Sequence, residues 1–72
     1  MKLPTIKPKK VIQKLQKAGF VVDRQRGSHV VLFNKQNKKF VVVAYHNKDL
    51  KKGTIRNIIK QAGLTIEEFN KL

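Results

Sequence analysis

The chain has 72 residues, with 17 Lys or Arg against four Asp or Glu, two His and no Cys, and a formal charge of +13. A chain this short forms one small domain that buries only about 60% of its unfolded surface. Its large apolar side chains are therefore committed to a core, which excludes a deep cofactor pocket and with it dinucleotide, flavin and pyridoxal enzymes. The lack of cysteine excludes a disulfide scaffold and any cysteine-based zinc or iron–sulfur site.

Pro8 suits the first turn of a helix, where its missing N–H has no partner to lose. Val11, Ile12, Leu15 and Ala18 follow as an amphipathic stripe, with Lys9, Lys10, Gln13, Lys14 and Lys17 on the other faces, and Gly19 closes the helix. Phe20–Gln25 reads as a first strand and Gly27 as a turn. His29–Asn34 is a second strand, 35–38 polar hairpin material, and Lys39–Tyr45 a third strand rich in β-branched residues. After the polar stretch 46–52, Gly53-Thr54 predicts a helix start with Thr54 as the N-cap. Ile55, Ile58, Ile59 and Ala62 form the apolar stripe of this helix and Gly63 ends it. Thr65-Ile66-Glu67-Glu68 has the Thr-x-x-Glu spacing of a capping box, opening a short terminal helix that carries Phe69 and Leu72. The predicted fold class is α+β in the order α-β-β-β-α: a three-stranded antiparallel sheet with helices on one face and a short extra C-terminal helix. A single domain spans 1–72.

The second and third strands are apolar on both faces. His29, Val31 and Phe33 oppose Val30 and Leu32, and Phe40 and Val42 oppose Val41 and Val43. Two main helices cover one face of such a sheet. The other face is then either an exposed docking surface or is covered by the C-terminal helix. Phe20, Phe33, Phe40 and Phe69 are mostly assigned to the core, which leaves Tyr45 as the aromatic available to stack on an unpaired base, unless it too is packing.

The longest apolar run, Phe40–Tyr45, is far short of the ~20 residues of a membrane span. Lys2 and Lys7 make the start of the chain basic, but Pro4 and Pro8 flank only Thr5 and Ile6, so no signal-peptide core follows and the chain reads as cytoplasmic. The net charge attracts polyanions through counterion release, which makes nucleic acid the leading partner class. The plainer alternative is a solubilising coat, since 14 of the 17 cations are Lys.

There is no Walker loop, no G-x-G-x-x-G, no H-E-x-x-H and no KH-type GXXG loop. Glu67 and Glu68 are adjacent while Asp23 and Asp49 lie far apart, a poor carboxylate set for a two-metal site, and no local spacing joins His29 and His46 through a metal. Ser28-His29 is not a nucleophile–base pair, because neighbours in a strand point to opposite faces; Ser28 reads as a small polar turn residue. His29 remains. Imidazole, with an ordinary pKa of about 6.5, is suited to acid–base work near neutrality, and cationic surroundings favour its neutral, basic form. A neutral histidine on an RNA-binding protein is equipped to take a 2′-OH proton while nearby Lys or Arg stabilise the phosphorane; the alternative is a structural strand histidine. Lys51-Lys52-Gly53-Thr54 offers a helix start preceded by lysines, either a phosphate cradle or an ordinary helix start beside solvated lysines.

Ala18-Gly19-Phe20, Arg26-Gly27-Ser28-His29, Val41-Val42-Val43-Ala44-Tyr45-His46, Leu50-Lys51-Lys52-Gly53-Thr54-Ile55 and Gln61-Ala62-Gly63-Leu64-Thr65 together resemble the HicA-type toxins, small mRNA interferases of toxin–antitoxin pairs. The resemblance covers almost the whole chain. It implies a double-stranded RNA-binding-like fold, metal-independent cleavage of mRNA without a cofactor, His29 as the catalytic residue, and a HicB-type antitoxin that covers the active face of a monomeric toxin. Gly27 matches the first glycine of the family's Gly-[Ser/Gly]-His motif. Many members carry Pro where this chain has Ala44, so the resemblance assigns no firm role to His46. The candidate RNA contacts are Arg24, Arg26, Gly27, Ser28, His46, Lys51, Lys52 and Thr54. The proton for the leaving 5′-oxygen has three candidate donors, His46, Lys52 and water. Two other readings of the same residues are a non-catalytic RNA-binding module and a domain whose charge pairs with an acidic protein.

Overall fold

A computed structural model describes residues 5–72; Lys2 and Pro4 of the basic first stretch lie outside these residues. The elements are α1 (Pro8–Lys17), β1 (Val21–Arg26), β2 (His29–Asn34), β3 (Lys39–Ala44), α2 (Lys52–Ala62) and α3 (Ile66–Asn70). The strands form one antiparallel sheet in the order β1-β2-β3, and the helices form a single layer on one of its faces. Val11 and Leu15 of α1, Val30 and Leu32 of β2, Val41 and Val43 of β3, and Ile55, Ile58, Ile59 and Ala62 of α2 make the core, closed by Phe20, Leu50 and Phe69. Among the described residues no helix is long and apolar enough to cross a membrane.

The two long helices end in the same way. Gly19 N–H donates to the Gln16 carbonyl and Phe20 N–H to that of Leu15; Gly63 N–H donates to Lys60 and Leu64 N–H to Ile59. Each is a Schellman ending, in which a glycine at positive φ turns the chain and the following apolar residue packs back. This explains why β1 starts at Val21 rather than Phe20: Phe20 is the apolar residue of the first ending, 2% exposed in the core. Gly19 has φ +104, and a Cβ there would meet Asn34 Nδ2 at 3.3 Å. Asn34 is itself buried, with Nδ2 3.4 Å from the Ala18 carbonyl and Oδ1 accepting from Gln36 N–H at 2.9 Å, so it has little room to yield. Gly19→Ala is expected to lower stability by about 1–2 kcal/mol. Gly53 lies inside α2 with open space where a Cβ would stand, so Gly53→Ala should raise stability by roughly 0.5–1 kcal/mol. Urea unfolding followed by circular dichroism measures both, and opposite signs are the expected result.

Two further boundaries differ from expectation. Thr54 does not cap α2. The chain at Leu50 pairs with Ile6, Lys51 stays extended, and the helix begins directly at Lys52, which leaves Thr54 within the first turn. β3 ends at Ala44, although Tyr45 N–H still donates to the Ser28 carbonyl. The capping box at α3 forms as read: Thr65 Oγ1 accepts from Glu68 N–H at 3.0 Å and Glu68 Oε1 accepts from Thr65 N–H at 2.8 Å.

Of the alternatives for the second sheet face, the open one is realised. α3 packs into the helical layer, with Phe69 fully buried. Lys14 Nζ of α1 donates to the carbonyls of Phe69 and Leu72 at 3.3 and 3.2 Å and lies 5.1 Å from the Phe69 ring centre. Burial, and then the charges of Lys10 and Lys17, hold this ammonium below the usual lysine range. Phe33 and Phe40 do not join the core as expected. They pair across β2 and β3 on the open face, with ring centres 4.5 Å apart, while Phe20 and Phe69 fill the interior.

Candidate functional site

His29 is the first residue of β2, directly after the two-residue turn Gly27-Ser28. Gly27 has φ +56 and Ser28 does not share the positive sign, the arrangement of a type II′ hairpin, whose twist suits the flanking strands. Gln25 Nε2 donates to the Gly27 carbonyl at 3.0 Å and holds the turn. A Cβ on Gly27 would point into open space, so the glycine is required here by backbone conformation and not by crowding within the chain.

The register places His29 between Arg26 of β1 and Ala44 of β3. Because Ser28 and Tyr45 share a ladder hydrogen bond, His29 and Ala44 form the adjacent non-bonded pair, in which side chains stand closest. Ala44 is small, so the imidazole is exposed on the open face with an unobstructed flank.

A β-bulge decides what lies on its other side. Val21 pairs with Phe33 and Val22 with Leu32, but the next pairs are Arg24–Val31, Gln25–Val30 and Arg26–His29, with Asp23 as the extra residue. In a regular strand Arg24 and Arg26 would share the face of Val22, against the helices. The inserted residue reverses this and turns both arginines to the open face beside His29. Sequence patterning gave no sign of the bulge, since β1 is exposed throughout and carries no alternation to read. The open face is thus arranged in rows: Arg26–His29–Ala44, then Arg24–Val31–Val42, then Val21–Phe33–Phe40.

The remaining candidates lie beyond β3. Ala44, His46, Lys48, Asp49, Leu50, Lys51 and Thr54 line one depression, so Ala44 belongs both to this hollow and to the row of His29. His46 Nδ1 accepts a hydrogen bond from Lys48 N–H at 3.2 Å. That bond leaves the proton of the neutral ring on Nε2, where it is available as a donor. Lys52 and Gly53 are exposed at the start of α2, outside the lining of the hollow. The fold therefore gathers His29, Arg24 and Arg26 in one place and His46, Lys51 and Thr54 in the adjoining one, with Gly27 and Ser28 forming the turn above.

Cations dominate the surface. Among the described residues one ion pair forms, between Arg24 Nε and Asp23 at 3.0 Å, and it is solvent-exposed. Among the same residues no three His, Asp or Glu side chains come together as a metal-ligand group.

The family model for the HicA toxin of bacterial toxin–antitoxin systems matches residues 8–64, from the first residue of α1 to the apolar residue that completes the ending of α2. Comparison with curated proteins finds no match.

Proposed function

Because the chain belongs to the HicA toxin family of bacterial toxin–antitoxin systems, we propose that it exerts its toxin role as a metal-independent endoribonuclease acting on mRNA. The observation that carries this reading is an exposed imidazole with two arginines turned to its side by a bulge. His29 acts as general base on a ribose 2′-OH. The oxygen attacks the adjacent phosphorus, the P–O5′ bond breaks as the leaving 5′-oxygen takes a proton from water or the Lys52 ammonium, and the products end in a 2′,3′-cyclic phosphate and a 5′-OH. Arg24 and Arg26 offer guanidinium donors for the phosphorane oxygens, with Lys51 and Lys52 as further phosphate contacts. Gly27, Ser28 and Thr54 border the path of the RNA backbone. A HicB-type antitoxin inhibits by covering the same face of the monomeric, cytoplasmic toxin.

His46 fits the role of a fixed N–H donor. Its bond to Lys48 is kept while the ring is neutral, and Nε2–H then holds a phosphate oxygen in the hollow beside Ala44. His46→Ala is expected to reduce the cleavage rate by about tenfold, well short of the loss on removing a general base. Single-turnover kinetics on one oligonucleotide makes the comparison, and equal losses at the two histidines would require His46 to move protons as well.

The deciding experiment is incubation of a long single-stranded RNA with the native chain in excess EDTA, followed by analysis of the ends. Cleavage with 2′,3′-cyclic phosphate ends is the expected result. Salt-sensitive binding without cleavage would reduce the chain to an RNA-binding module.

A further inference from the structure

We propose that the Phe33–Phe40 pair on the open sheet face is a stacking platform for unpaired bases of single-stranded RNA held across His29. This deepens the ribonuclease reading and rests on it for the choice of RNA as the polymer. Phe40 is 53% exposed and Val42 45%, although the described residues supply only 13 buried hydrophobic side chains to the core. A domain this small has few large apolar side chains to leave in water. Among the described residues nothing else uses these rings, because every helix lies on the opposite face.

Three features select the occupant. Phe33 lies four residues along β2 from His29, about 13 Å in an extended strand and on the same face, so a short run of nucleotides joins the two. The row of His29 carries Arg26, and the β2–β3 hairpin at the far end carries Lys35 and Lys38, so the rings lie between cations. An apolar strip bordered by positive charge repels a second copy of this chain and suits a polyanion that also has flat apolar faces. A single strand offers both at once, whereas a duplex keeps its bases stacked inside and presents phosphates alone.

The test uses the His29→Ala chain, which binds without cutting, and a single-stranded RNA carrying one 2-aminopurine. Adding Phe40→Ala should weaken binding of the single strand by roughly five- to tenfold, leave binding of the matching duplex unchanged, and remove the quenching of 2-aminopurine on binding. Phe40→Tyr keeps the π-face and should restore affinity, whereas Phe40→Leu keeps only apolar area and should not. Equal affinity and quenching with and without Phe40 would overturn the proposal. So would RNA binding that is unaffected while an acidic partner protein no longer docks, which would assign the face to protein. If the native chain fails to cleave RNA but the Phe40 effects persist, the ribonuclease reading falls and the platform stands.

Discussion

Replacing His29 by Ala is expected to reduce RNA cleavage by about a hundredfold to ten-thousandfold, the range over which a positioned general base accelerates proton transfer. The size of the effect follows from how few acid–base groups the face contains. The other members of the His29 row are a guanidinium, which does not deprotonate in proteins, and the methyl of Ala44. No neighbour in that row can take over the 2′-OH proton. Removing the imidazole should not disturb folding, because His29 is exposed and its backbone hydrogen bonds in the ladder do not depend on the side chain. The measurement is a single-turnover rate with native and variant chains matched by circular dichroism and RNA affinity. Near-native affinity with lost cleavage separates chemistry from binding. A variant that still cuts at the native rate and leaves cyclic phosphate ends would remove His29 from the mechanism.

The second large effect is structural. Phe69→Ala is expected to destabilise the chain by about 3–5 kcal/mol, against a total of about 4–11 kcal/mol for 72 residues. A helix as short as α3 has no independent stability in water. It is held by the fully buried Phe69 ring and by the two carbonyls that accept from Lys14. Loss of the ring leaves a cavity beneath α1 and α2 and releases the segment that Lys14 holds. Thermal unfolding should show a drop in Tm of about 15 °C or more. Phe69→Leu retains most of the volume and should cost far less. A drop in stability of under about 1 kcal/mol in Phe69→Ala would mean that α3 is an appendage of the domain. The contribution is of interest because α3 follows the residues that match the family.

The sequence was informative wherever a local rule had no competitor. The stripe Val11–Leu15–Ala18, the paired Ala-Gly endings and the Thr65–Glu68 box each depend on residues within a turn or two, and each formed as read. Thr54 is the counter-example: its propensity to cap was overridden by the Ile6–Leu50 bridge, a contact between segments far apart in the chain that sets where α2 begins. The fate of the phenylalanines was illegible for a related reason. Alternation shows that β2 and β3 are apolar on both faces but not which face the helices will cover, and that choice sends Phe33 and Phe40 outward. His29 and its turn could be named from sequence. That Arg24 and Arg26 stand beside it could not, because their orientation depends on one unpaired residue in a strand with no pattern.

The bulge at Asp23 also has a bearing on how the molecule keeps apart from its own kind. β1 is an outer strand of the sheet, and an outer strand with apolar rows beside it is a ready template for further strands from neighbouring copies, the first step towards fibrous aggregates. The extra residue breaks the regular spacing of N–H and C=O groups halfway along that edge, so an incoming strand that is in register at Val21 is out of register by Arg26. The insertion that turns the arginines towards His29 thus also leaves the edge unfit for sheet growth, and a protein with an uncovered apolar face is spared one route out of solution.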